Sequence, residues 1–242
     1  MKSKRRERKS RKLPTAKELR LIYAIGDIHG CLNALEDLLI KLPLKPEDDL
    51  VFLGDYIDRG PDSKGVVDYL LRNRQPNWQF LRGNHEQMLL EWLGTPNALT
   101  AGNWLLNGGH QTLQSYVPPK NMDELRGEGA HMILQSHIPP SHAEFYNSLP
   151  LTYETEDYFF CHAGINLDKP LNAQDPDDLL WIRRKFIEDP RPTPKLVIHG
   201  HTPIEQVDLG RDRINLDTGA VYGGFLTALA LPEKKIYQAK QT

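Results

Sequence analysis

Apolar positions along the chain fall into short runs that alternate with stretches at helical spacing. Leu21–Ile25 is one such run, and it stops at Gly26. Leu32, Leu35, Leu38, Leu39 and Leu42 then recur every three or four positions, the spacing of one helix face. A second run, Leu50–Leu53, leads into Gly54 and is followed by Val66, Val67, Leu70 and Leu71 at helical intervals. Phe80 and Leu81 close a third strand, and Met88 to Leu93 reads as helix again. This β-α-β-α-β start predicts parallel strands joined by right-handed crossovers. Residues 95 to 150 read as mainly helical, broken by Gly and Pro. From Tyr158 onward strands dominate, in YFFCHAG, KLVIHGHT, INLDTGA and FLTALAL. The order of elements predicts an α/β sandwich of two sheets, with DPRPTPK (189–195) as an exposed connector.

Composition narrows the class. The 242 residues suit one domain with room for a core and a cleft. No apolar stretch reaches the roughly 20 residues of a membrane span. The opening MKSKRRERKSRK holds eight Lys or Arg and one Glu, with no apolar segment behind it to make a secretory leader. Setting it aside leaves 22 basic against 31 acidic residues, so a near-neutral total hides a basic tail on an acidic body. We read residues 1–15 as a disordered tail and 16–242 as one domain. Such a tail can touch nucleic acid, although a solvated end is the plainer reading, and the acidic body argues against a dedicated nucleic-acid-binding domain. Cys31 and Cys161 read as reduced, buried thiols of a cytoplasmic protein.

Five segments share one layout, an apolar strand and then a glycine-punctuated loop with metal-type ligands: GDIHG (26–30), GDYIDRG (54–60), RGNHE (82–86), HAG (162–164) and HGHT (199–202). Ligands in α/β sheets bind beyond the carboxyl ends of strands, so these loops can converge. Any one of them alone reads as a turn. Together they supply a dinuclear centre from Asp27, His29, Asp55, Asn84, His162 and His201, with Asp55 able to bridge. Carboxylate, imidazole and amide ligation suits Mn²⁺ foremost, or Fe or Zn²⁺. Two such ions about 3.5–4 Å apart activate a bridging water. His110, His131, His137 and His142 fall outside the pattern and read as surface or satisfied residues. His199, on the strand side of Gly200, reads as packing, and Asp217 as structural.

These segments resemble the signature of the calcineurin-like metallophosphoesterases, and among them the phosphoprotein phosphatases, especially the bacterial and phage Ser/Thr members. The resemblance spans residues 20 to 230. It implies an α/β two-sheet metallophosphoesterase sandwich with flanking helices and a dinuclear site at the strand ends. Asp27, His29, Asp55 and His201 would then hold one metal, and Asp55, Asn84 and His162 the other. His85 would be the general acid, oriented by Asp58, and Arg59, Arg82 and Arg183 would clamp phosphate. Tyr222 would lie at the cleft edge. The implied activity is hydrolysis of phosphomonoesters, phosphoserine and phosphothreonine in proteins above all, by direct attack of a metal-bridging hydroxide.

Two other functions remain open from the sequence. HAGI (162–165) also resembles the symmetrical dinucleoside tetraphosphate hydrolases, although the Asp of DRG and the Glu of RGNHE differ from what they typically carry. Hydrolysis of RNA 5′ ends is a related reading, with the basic tail as its one hint. A catalytically silent scaffold is disfavoured because no ligand position is missing. The substrate partner is thus a phosphoprotein or a phosphorylated small molecule.

Overall fold

In a computed structural model of the protein, residues 20–120, 125 and 129–242 are described. The basic tail expected at 1–15 lies outside them. The expected alternation opens the fold: β1 (Ile22–Ile25), α1 (Leu32–Lys41), β2 (Asp49–Phe52), α2 (Ser63–Asn73), β3 (Trp78–Phe80) and α3 (Asn84–Gly94). A helical stretch follows, with α4 (Ala98–Trp104), a wide π-type turn (Leu105–Gly109), α5 (His110–Tyr116), α6 (Ala130–His137) and α7 (Pro140–Ser148). The second half holds β4 (Thr152–Glu154), β5 (Tyr158–Cys161), α8 (Pro176–Trp181), α9 (Arg184–Ile187), β6 (Leu196–His199), β7 (Arg213–Asn215), β8 (Leu226–Leu231) and β9 (Lys235–Ala239).

Among the described residues the strands form two sheets. One has the order β3-β2-β1-β8-β9 and the other β4-β5-β6-β7. The pairs β1–β2, β2–β3, β5–β6 and β6–β7 are parallel, and β1–β8, β8–β9 and β4–β5 are antiparallel. Side chains alternate between faces along each strand. Tyr23, Ile25, Leu50, Phe52 and Phe80 therefore point to one core with α1, α2 and α3. Ala24, Val51 and Leu53 point the other way and meet Phe160, Ile198, Ile214 and Leu229 in a core between the sheets. Phe159, Cys161 and Val197 cover the far face of the second sheet under Leu179, Ile182 and Phe186. Both faces of the central strands are thus buried, which is why they read as unbroken apolar runs.

This layering fixes the site. Parallel strands β1, β2 and β3 all end on the same side of one sheet, and β5, β6 and β7 do so in the other. The loops that leave these six ends carry the motif residues. Among the described residues no helix is long and apolar enough to cross a membrane.

Candidate metal centre

Each motif loop starts where a strand stops. Asp27 and His29 follow β1, Asp55, Asp58 and Arg59 follow β2, and Asn84 and His85 open α3 after β3. His162 follows β5, His201 follows β6 and Asp217 follows β7. The carboxylates and imidazoles among them are buried. Close backbone approach is part of the design. A Cβ on Gly83 would lie 2.0 Å from Asp55 Oδ1, and one on Gly200 the same distance from Asp27 Oδ1.

The backbone is bent unusually at these positions. His29 (φ 46°), Asp55 (53°), Asp58 (72°), Arg59 (67°) and His201 (69°) are all left-handed, and one other non-glycine residue, Lys234, joins them among the described residues. Such conformations persist where surrounding structure over-determines them, and they cluster at active sites. Glu86, fully buried, is the main brace. Its Oε2 accepts the N–H of Asp55 (2.9 Å) and Gly83 (3.0 Å), and its Oε1 accepts those of Tyr56 (2.8 Å) and Ile57 (3.3 Å). Burial first, and Asp55 second, push its carboxyl up to about 8 against those donors.

Two overlapping sets of donor atoms can hold cations. His29, Asp55 and His85 form one, and Asp55, His162 and His201 the other, with ligand atoms within 4.8 Å of one another in each. The hydrogen bonds of His29 and His162 turn their Nε2 lone pairs toward this space. His29 Nδ1–H donates to the Ile57 carbonyl (2.8 Å) and His162 Nδ1–H to the Leu53 carbonyl (2.9 Å). Their Nε2 atoms are then unprotonated, because burial lowers both rings' pKa, that of His29 to about 3. Yet each Nε2 lies 3.4 Å from the same Asp55 Oδ2. Acceptors converging in a buried space without a proton between them fit a cation.

Further charge points the same way. Burial, then Asp217, then Asp55 raise Asp27 well above the usual carboxylate range, and burial raises Asp217 to about 6. Asp55 is shifted downward. Burial opposes its charge, and only positive charge at the surrounding imidazole positions, His162 foremost, outweighs burial. Asn84 Oδ1 lies 2.8 Å from His162 Nε2 and 2.9 Å from His201 Nδ1. His201 therefore groups with Asn84 and His162, and not with Asp27 and His29 as the family resemblance implied. Its backbone N–H alone meets the Asp27 carboxylate, at 3.1 and 3.3 Å.

His85 stands beside this cluster. Its Nδ1–H donates to Asp58 Oδ2 (2.7 Å), while its Nε2 is buried, without a partner among the described residues, and 3.9 Å from Asp55 Oδ2. Burial works against charge on His85, but Asp55 and Asp58 outweigh it and raise its pKa above the usual value. Asp58 also accepts the Trp104 indole N–H (2.9 Å) and the Thr112 hydroxyl (2.6 Å).

The arginines divide. Arg59 Nη1 donates to His29 Nε2 (2.7 Å), and its guanidinium lies 5.8 Å from the exposed Tyr222 ring, at the rim. Arg183 Nη1 reaches Thr202 Oγ1 (3.4 Å), next to His201. Arg82 is not brought to the cluster. Its Nη1 donates to Gln87 Oε1 (3.0 Å) and its Nη2 to the Asn147 carbonyl (3.2 Å), so the head ties α3 to α7. His199 packs edge-on against Phe186 at 5.2 Å, and His142 is satisfied by Tyr116 and Asp68.

The sequence reading missed Trp104, Thr112 and the rim residue Trp181, whose ring meets His201 edge-on at 6.0 Å. Trp104 and Thr112 lie in a helical segment without a motif, and nothing in their local sequence marks them.

Comparison with known proteins places the site in context. The family model of calcineurin-like phosphoesterases matches residues 20–228. The serine/threonine-protein phosphatase 1 of Salmonella typhimurium is 31% identical, over 88% of this chain and 92% of its own. The bis(5′-nucleosyl)-tetraphosphatase PrpE [asymmetrical] of Bacillus cereus is 28% identical, over 88% of this chain and 91% of its own. A solved structure described as a candidate diadenosine tetraphosphatase superposes with a TM-score of 0.66 at 26% identity, covering 94% of this chain and 95% of that one.

Proposed function

The chain belongs to the calcineurin-like phosphoesterases, and from that premise we propose that it hydrolyses phosphomonoesters, phosphoserine and phosphothreonine in proteins foremost. The observation that carries this reading is the buried His85–Asp58 pair, with Nδ1 bonded at 2.7 Å and Nε2 left free toward the cluster. A serine or threonine alkoxide is a poor leaving group and needs a proton as the P–O bond breaks. A nucleoside polyphosphate leaves as a stabilised anion whose last proton has a pKa of about 6, and gains less from an acid.

The donor chemistry fits two divalent cations, Mn²⁺ in our proposal. Asp27, His29 and Asp55 would hold one, and Asp55, Asn84, His162 and His201 the other. When bound, such ions polarise phosphoryl oxygens and generate a nucleophile from water at neutral pH. His85 donates a proton from Nε2 to the departing oxygen, and Asp58 keeps the ring turned for that transfer. Arg183, at the rim, and Arg59, whose Nη1 would yield its place at His29 Nε2 to the cation, offer planar N–H forks to the phosphate oxygens. We leave Arg82 out of the clamp, since its guanidinium already ties α3 to α7.

A second reading, hydrolysis of dinucleoside tetraphosphates on the same residues, draws on the names of the 28% relatives. Those names specify asymmetrical enzymes, not the symmetrical class that the HAGI segment suggested. The test is kcat/KM under one Mn²⁺ buffer for a phosphothreonine peptide, diadenosine tetraphosphate and triphosphorylated RNA. A bridging phosphate offers fewer free oxygens, and each lost charge-assisted contact is worth roughly 1.5–3 kcal/mol. We expect the peptide to lead by about 10- to 10⁴-fold. A preference for the dinucleotide overturns the phosphomonoester reading.

A further inference from the structure

We propose that the arm formed by α4, the wide turn and α5 positions the proton-donating pair, with Trp104 and Thr112 as the positioning residues. The proposal rests on the phosphoesterase reading above. A carboxylate on a single hydrogen bond can swing about its terminal torsion, which is broad and roughly two-fold. Asp58 is held at three points instead. Oδ2 accepts His85 Nδ1–H and Trp104 Nε1–H, and Oδ1 accepts the Thr112 hydroxyl. Thr112 Oγ1 in turn accepts the Asp58 backbone N–H at 2.9 Å. With the carboxylate plane fixed, the imidazole that donates to it is fixed too.

The arm also holds the backbone beneath. Asp58 and Arg59 are consecutive left-handed residues, and the Arg59 N–H donates to the Gly108 carbonyl at 3.0 Å. A Cβ on Gly108 would come 2.6 Å from Arg59 Cγ, so the arm and loop meet with no side chain between them. Trp104, Gly108 and Thr112 are four residues apart. In an ordinary α-helix eight residues overshoot two turns by about 80°. The turn Leu105–Gly109 breaks the helix instead, with Gly108 left-handed at φ 103°, ψ 14°, and all three contacts face the same dipeptide. The indole is itself locked, fully buried, stacked on Trp92 at 5.0 Å and resting on Gly109, where a Cβ would lie 2.5 Å from the ring.

A core tryptophan that merely needs an acceptor for its N–H would show the same bond, so the test must separate positioning from packing. The variants are Trp104→Phe, Thr112→Val and Thr112→Ser, each assayed in the full chain with Mn²⁺. Positioning predicts that Trp104→Phe and Thr112→Val lower kcat about 10-fold on alkyl phosphates and less than about 2-fold on aryl phosphates with good leaving groups. KM and metal content stay unchanged, and Thr112→Ser restores the alkyl rate. Nitrogen NMR at a pH high enough to leave the His85 ring neutral should show one fixed Nδ1–H tautomer in the parent and a mixture in Trp104→Phe. Equal losses across leaving groups, no loss in either variant, or an unchanged tautomer in both overturns the proposal. A parent protein that hydrolyses none of these phosphates overturns the phosphoesterase reading, and this inference with it.

Discussion

Replacing Gly83 by Ala tests whether the loop packing around Asp55 governs the centre. The backbone does not resist the change, because Gly83 sits at φ −92°, ψ 170°, which alanine adopts freely. Restricting the unfolded chain even favours Ala by about 0.4–1 kcal/mol. The new methyl, however, would lie 2.0 Å from Asp55 Oδ1 and 2.3 Å from the Asp55 nitrogen. Real carbon contacts stay beyond 3.0 Å, so Asp55 must retreat by about 1 Å. Overpacking of this kind costs about 1–3 kcal/mol, well below a typical domain stability of about 5–15 kcal/mol. The fold should therefore survive with a small loss.

The site should not. Asp55 belongs to both donor sets, and a displacement near 1 Å costs about 10²-fold in rate. The assay combines a thermal melt, elemental analysis of metal and kcat on an aryl phosphate. We expect a folded protein with depleted metal and about 10²-fold slower turnover. Gly94→Ala, where nothing lies within 4 Å of a new Cβ, is the matched control and should change neither. Two full equivalents of metal in Gly83→Ala, with kcat within about threefold of the parent, would refute the packing argument.

Asp55→Asn should empty both donor sets, because the shared oxygen loses its charge; elemental analysis showing two retained equivalents counts against a bridging role. His85→Asn should slow alkyl phosphate hydrolysis by about 10²–10⁴-fold while sparing metal content. Aryl phosphates should lose far less, and an equal loss for both would mark His85 as structural. Arg59→Ala should raise KM for phosphate esters at little cost to the melting temperature. Arg82→Ala should do the reverse, since it frees Gln87 Oε1 and the Asn147 carbonyl and leaves the rim unchanged.

The strands and ligands were legible for a physical reason. Strands buried on both faces must be apolar along their whole length, and their loops must carry every polar atom of the centre. Leu50–Leu53 followed by Gly54 and Asp55 is such a junction. The edges were less legible. β4 (TYE) and β9 (KIYQA) are only partly covered and carry Glu, Lys and Gln, so their apolar signal is diluted. The grouping of His201 was hidden because its backbone touches Asp27 while its ring turns toward Asn84. Trp104 reads as an ordinary core residue, since what distinguishes it is a tertiary contact with Asp58, 46 positions earlier.

Strain explains why so many long-range bonds serve this one place. Each left-handed non-glycine residue costs about 1–3 kcal/mol, so the five at the centre together rival a whole domain's net stability. The apolar layers cannot pin individual torsions, because their attraction has no direction. The loops pin one another instead. His29 N–H donates to the Asp55 carbonyl at 2.8 Å, Asp55 N–H to Glu86, Asp58 N–H to Thr112, Arg59 N–H to the Gly108 carbonyl, and His201 N–H to Asp27. Each of the five strained residues at the centre is thus fastened by its own backbone N–H to a different loop or helix. Loosening one loop frees the next, which makes the centre a single cooperative unit mounted on sheets whose stability is supplied elsewhere.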